Sequence, residues 1–231
     1  MKEIIGRKVG MTQVFAEDGT MYAVTVVEVL PNVVTQIKTE EVDGYNALQI
    51  GYEEQKEQRV NKPRKGIFAK AGVTTKKHLF ELQGDELSDY KVGDAITVDI
   101  FQKGDMVDVT GRSKGKGFSG TIKRHGHASG PRSHGSRFHR GPGSIASGIT
   151  DSRVHKGTKM PGHHGDQQVT VLNLQIVDVI ADKNALLIKG AIPGPKKGLV
   201  KVRSAIKTQL GEPKVIKPII NRAAEGAVDQ E

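Results

Sequence analysis

The stretch TGRSKGKGFSGTIKRHGHASGPRSHGSRFHRGPGSIASG, Thr110 to Gly148, is built from glycine, serine, histidine and cations, with hardly an apolar residue to bury. It cannot be core, so the core must come from its flanks, and the flanks read as strands. Before it, MTQVFAEDGTMYAVTVVEVL (11–30) reads as a hairpin turning at Asp18-Gly19, with β-branched residues beyond the turn. NVVTQIKTEEVDGYNALQIGY (32–52) repeats the design around Asp43-Gly44. The polar segment 53–66 reads as a loop, and Pro63 starts a short helix through PRKGIFAKAG that Gly72 closes. VGDAITVDIF (92–101) and DMVDVTG (105–111) read as further strands. Beyond the stretch, QQVTVLNLQIVDVI (167–180), a turn at Asp182–Asn184 and ALLIKGAIP (185–193) resume the pattern. Many short strands separated by turn signals argue for an antiparallel barrel or sandwich. The apolar strand faces expected to stabilise it include Val24, Val26, Val98, Ile100, Val171, Leu187 and Ile188.

Composition sharpens the division. The chain has 231 residues, a formal net charge of +9 and a sequence pI near 9.6, which favours a polyanionic partner without bearing on the fold. Residues 1–110 hold 14 Lys/Arg against 18 Asp/Glu, residues 111–165 hold 11 against 1, and residues 166–231 hold 10 against 7. The middle block also carries seven of eight histidines and 13 of 28 glycines. There is no cysteine, which excludes disulfides, thiolate catalysis and Cys-ligated zinc. The N-terminal MKEIIGRKVGMTQVF lacks the apolar run of a signal peptide, and no apolar run reaches membrane-spanning length. The expectation is a cytoplasmic protein with no membrane and no small-molecule substrate.

Three readings of the basic insert compete. Gly115-Lys-Gly117-Phe-Ser-Gly120 matches the dinucleotide fingerprint after an expected strand, Met106–Thr110. That fingerprint needs a following helix and an acid about 20 residues on. TIKRHGHASGPRSHG (121–135) has no helical periodicity, and no Asp or Glu occurs from Gly111 to Thr150. No Gly-Lys-Ser/Thr stands in a Walker A frame either, so nucleotide cofactors are not expected. The histidines, His125, His127, His134, His139, His155, His163 and His164, follow no zinc spacing, and the surrounding cations repel a dication; no metal is expected. Nucleic acid remains. Lysine and arginine neutralise phosphates with release of counterions, and glycines admit close backbone approach. With only Phe118 and Phe138 aromatic between residues 111 and 165, recognition of folded RNA by shape and phosphate fits better than a base-stacking platform. So hydrophilic a segment cannot offset about 1–2 kcal/mol per residue of backbone ordering entropy unaided, so a polyanion is expected to order it.

IIGRKVGMTQVFAEDG, NKPRKGIFAKAGV, VDVTGRSKGKGFSGTIKRHG, RGPGSI, KGTKMPGHHGD and LLIKGAIPGPKKG, in this order over roughly residues 1–203, resemble the bacterial large-subunit ribosomal protein L-three family. The resemblance implies a mainly β fold: an antiparallel β-barrel of the translation-protein type with small α/β elaborations and a long irregular basic loop extension. The body would be 1–110 with 166–204, the rRNA-penetrating extension 111–165, and a mobile C-terminal tail 205–231. It further implies a structural, non-enzymatic role: binding 23S rRNA near its 3′ end, helping to nucleate subunit assembly, neighbouring other large-subunit proteins, and extending a loop toward the peptidyl transferase centre.

On that reading the rRNA contacts come from Arg112, Lys114, Lys116, Lys123, Arg124, Arg132, Arg137, Arg140, Arg153, Lys156 and Lys159, with His125, His163 and His164. Close backbone approach falls to Gly115, Gly117, Gly120, Gly141 and Gly143, and the tip to Ser144, Ile145, Ala146, Ser147, Gly148, Ile149, Thr150, Asp151 and Ser152. Some relatives methylate a glutamine near the tip. Here Ile149 takes that place, and no glutamine lies between Gln102 and Gln167, so the modification is not carried over. The competing classes are a histidine-rich metalloprotein and a barrel-containing translation factor; the missing P-loop argues against a GTPase.

Overall fold

A computed structural model describes residues 2–83, 90–146, 153–207, 216, 217 and 219. The chain divides into two compact units, Met1–Arg112 with Val169–Glu231, and Ser113–Gln168.

The first unit is built on a closed six-stranded barrel. Its strands are β1 (Glu3–Phe15), β2 (Met21–Glu28), β7 (Met106–Arg112), β10 (Gln168–Ile180), β11 (Ala185–Lys189) and β12 (Leu199–Ser204), in spatial order β1-β12-β7-β10-β11-β2. β1 and β2 form the expected hairpin, turning through Gly19 at φ 79°. β10 and β11 form a second, whose turn ends at Asn184 with φ 48°, a left-handed conformation that asparagine tolerates. β12, LVKVRS, was not among the expected strands, yet it pairs with both β1 and β7 and so closes the barrel. Its alternation spans only six residues behind a Pro/Gly/Lys-rich loop, too brief to register as a strand signal.

Between β2 and β7 the chain builds a four-stranded sheet, in order β5-β4-β3-β6, from β3 (Asn32–Lys38), β4 (Ala47–Glu54), β5 (Lys76–Leu82) and β6 (Ala95–Ile96). A short helix, α1 (Glu40–Asp43), connects β3 to β4 and ends on Gly44. The helix expected at Pro63 is α2 (Lys62–Ala71), closed by Gly72 at φ 66° whose N–H donates to the Phe68 and Ala69 carbonyls. β5 is a second strand beyond those expected. The single strand expected over 92–101 is corrected: only Ala95 and Ile96 pair as a strand, and Val98–Ile100 form a 3₁₀ turn.

One apolar cluster serves barrel and sheet together. Ile4, Ile5, Val27, Val107, Val109, Ile176, Leu186, Ile188, Val200 and Val202 meet Val34, Ile50, Tyr52, Leu82 and Ile96. Val98 belongs to this cluster and Ile100 packs on it, though neither lies on a strand. Val24, Val26 and Leu187 lie instead in a smaller cluster with Val14, Tyr22 and Val177, covered by Ile216 and Ile219. Val171 is only half-buried and belongs to neither cluster. Ile219 forms an antiparallel bridge with Ala16, and the Lys217 ammonium pairs with the Asp18 carboxylate.

The strands that bracket the basic segment are tied by polar groups, one of them buried. Asp108 on β7 is 1% exposed; its carboxylate accepts the Asn173 N–H at 2.9 Å and pairs with Arg203 on β12 at 3.9 Å. The hydroxyls of Thr110 and Thr170 lie 2.8 Å apart. An unpaired carboxylate buried this deeply would cost several kcal/mol, so β7, β10 and β12 are held in register where the chain leaves the barrel and where it returns.

Candidate nucleic-acid interface

Within Ser113–Gln168 the outgoing and returning limbs pair. The Ser113 N–H donates to the Gln167 carbonyl at 2.8 Å, Lys116 N–H to the His164 carbonyl at 2.9 Å, and His164 N–H to the Gly117 carbonyl at 2.9 Å. Strands β8 (Phe118–Ser119) and β9 (Gly162–His163) continue this ladder as a two-stranded ribbon. The limbs touch closely: a methyl on Gly165 would lie 2.1 Å from the Lys114 carbonyl oxygen, and Gly165 has φ 75°. A glycine-lined backbone ladder thus does here what side-chain packing does in the barrel.

The stretch 121–135, which shows no helical periodicity, nonetheless holds one short helix. Thr121–His125 form a single turn, α3, closed by Gly126, whose N–H donates to the Ile122 carbonyl at 2.9 Å. Five residues are too few to show periodicity. The turn is favoured by the left-handed glycine cap and by Lys123, Arg124 and His125 at the negative end of the helix dipole. So short a helix offers no N-terminal phosphate site, and the glycine fingerprint remains a chance match. Farther out, the Gly130 N–H donates to the His139 carbonyl at 2.9 Å, a His139 ring nitrogen lies 2.8 Å from the Pro131 carbonyl, and Ser136 donates to the Phe138 carbonyl at 3.0 Å. The segment therefore has more local structure than its hydrophilicity led one to expect, because backbone bonding replaces an apolar core.

The proposed contact residues separate into two groups. Lys114, Lys116, Lys123, Arg132, Arg137, Arg140, Arg153, Lys156 and Lys159 are exposed, and none forms an ion pair among the described residues. Arg112, at the end of β7, and His163 are exposed as well. Arg124 and His125 are half-buried and turned inward: an Arg124 guanidinium N–H donates to the Met160 carbonyl at 2.8 Å, and the His125 ring approaches the same oxygen at 3.0 Å. Gly162 leaves room for that guanidinium, since a methyl there would sit 2.6 Å from it. Sequence gave no sign of this brace, because an arginine in a basic run looks like its neighbours.

His164 is half-buried. Burial, then the charges of Lys116, Lys123 and Arg124 and the neighbouring His125, holds its pKa below the ordinary imidazole value. The shift favours its neutral form, with Lys116, Lys123, Arg124 and His125 as the neighbouring basic groups. Of the glycines assigned to close approach, Gly117 and Gly143 are required by their own positive φ, 65° and 81°. Gly120 has φ −66°, and a methyl there would meet nothing within 4 Å; the fold itself has no need of glycine at 120. Of the tip, Ser144, Ile145 and Ala146 are described and exposed, and residues 147–152 lie outside the described residues. No group of three or more His, Cys, Asp or Glu among the described residues is placed to hold a metal ion.

A barrel body and a separate unit rich in unpaired cations are what the motifs resembling a ribosomal family would require, and comparison with known proteins identifies the family. The family model described as Ribosomal protein L3 matches residues 71–185. Proteins described as large ribosomal subunit protein uL3 align along nearly the whole chain. That of Alkaliphilus metalliredigens is 54% identical over 207 residues, 90% of this chain and 99% of the relative. Those of a Geobacillus species and of Halalkalibacterium halodurans are each 55% identical over 208 residues, covering 90% of this chain and 98% and 99% of the relatives. The chain belongs to the uL3 family. As a uL3 protein it is a structural component of the large ribosomal subunit and not an enzyme, and membership implies association with rRNA and with other ribosomal proteins. No described helix is long and apolar enough to cross a membrane.

Proposed function

We propose that this uL3 protein binds 23S rRNA directly near its 3′ end, helps nucleate assembly of the large subunit, and directs the loop around 144–153 toward the peptidyl transferase centre. In this reading the barrel unit is the folded anchor and residues 113–168 are the RNA-bound extension. The observation that carries it is the set of nine exposed lysines and arginines with no carboxylate partner among the described residues. Unpaired cations at this density repel one another unless an external polyanion neutralises them, and RNA phosphates provide that. Arg112 and His163 add further RNA contacts in this reading. Arg124 and His125 contribute by holding the two limbs together beneath it.

The chain has no cysteine, so single-cysteine variants supply unique labels. Ser144→Cys and Arg153→Cys proteins, each carrying a photocrosslinker, are assembled into large subunits and irradiated. Crosslinks to 23S rRNA around the peptidyl transferase centre are expected. Crosslinks confined to proteins, or to RNA remote from that centre, overturn the proposed destination.

A further inference from the structure

Phe118 is 80% exposed on the β8–β9 ribbon. Directly opposite it in the register is His163, also exposed; cross-strand partners in an antiparallel pair project from the same face. The ribbon is therefore not a solvated polar face but carries a bare aromatic ring beside an imidazole. Gly117 and Gly120 flank the ring in sequence, and a methyl on either would meet nothing within 4 Å, so no side chain at those positions shields it. Lys116 and Lys123 lie two and five residues away, exposed and without ion pairs among the described residues. The unit's one described carboxylate, Asp166, has its Cβ 3.5 Å from where a methyl on Gly115 would sit.

We infer that Phe118, with His163 beside it, is a stacking site for one unpaired base of the RNA that the surrounding cations hold by its phosphates. The inference rests on the rRNA-binding reading and adds a base contact to one otherwise made of phosphate contacts. A single ring suffices: every base has a π-face, and stacking on an aromatic side chain adds affinity without sequence readout. An apolar protein pocket is the rival occupant. Cations on the neighbouring positions favour a phosphate-bearing partner over an apolar one.

The test measures binding of the full-length protein to a transcript of the 3′ part of 23S rRNA, at several salt concentrations. Phe118→Ala, Phe118→Leu and Phe118→Tyr are compared with wild type. The exposed position keeps all three folded, checked by circular dichroism. Alanine and leucine are each expected to weaken binding by about ten-fold or more, the range measured for one stacked base, whereas tyrosine stays close to wild type. The slope of log affinity against log salt should be unchanged in all three, since no phosphate contact is lost. Wild-type affinity in Phe118→Leu would show that apolar bulk is all that is needed and overturn stacking, as would wild-type affinity in Phe118→Ala. A wild-type protein whose binding is weak and flat in salt would overturn the rRNA reading itself, an outcome separate from either.

Discussion

Neutralising Lys114, Lys116 and Lys123 together is the most direct probe of the charge argument. All three are exposed, and none has a carboxylate partner among the described residues, so alanine removes no ion pair within the described protein. If all nine unpaired cations contact phosphates, log affinity for rRNA should fall with log salt at a slope of about −6 to −8, taking roughly −0.7 to −0.9 per contact. Between about 50 and 200 mM salt, wild-type affinity would then drop by roughly 10⁴ to 10⁵, and the triple variant, with six contacts, by roughly 10³. Filter binding with a 23S rRNA transcript across that range measures both slopes, and circular dichroism checks that the variant is folded. A slope that does not change on removing three charges would refute the phosphate-contact account, whatever the loss of affinity at one salt concentration.

Other outcomes follow from the brace and the packed ends. Arg124→Ala should destabilise residues 113–168 by about 1.5–3 kcal/mol, the range for a hydrogen bond from a charged group, seen as faster proteolysis within that segment while the barrel's melting is unchanged. Gly165→Ala should act on the same segment more strongly, because it forces a methyl onto the Lys114 carbonyl at a positive φ; normal protease resistance would argue against the paired limbs. Asp18 is held down to about 2, first by the Lys217 side chain and then by Thr20. Its ion pair should therefore persist above the ordinary carboxylate pKa and be lost only as pH falls through about 2. In an NMR titration, Lys217→Ala should move that midpoint up toward the ordinary value; an unmoved midpoint would mean that Lys217 does not pair with Asp18.

Much of this protein was legible before any coordinates. Strand alternation on both sides of Thr110–Gly148, the turns at Asp18-Gly19 and Asp182–Asn184, and the Pro63–Gly72 helix are local signals, and the structure reproduces them. The charge division was equally plain, since it needs only counting. Less was legible in the candidate site. Nine cations in the basic unit project as composition suggests, but Arg124 and His125 turn inward to a carbonyl 36 and 35 residues away, respectively. The dearth of aromatics argued against stacking, yet it did not tell that Phe118 stands uncovered.

The amino-acid order by itself determined that a β body with a balanced charge is interrupted by a basic, glycine-rich segment, because periodicity and charge are properties of neighbouring residues. Only the tertiary structure decided that β12 closes the barrel, that Ile216 and Ile219 pack on its smaller apolar cluster, and that glycine at 165 serves the fold while glycine at 120 does not. Those features depend on which backbone atoms meet across long separations in the chain, and such meetings are set by the global packing that no local pattern encodes.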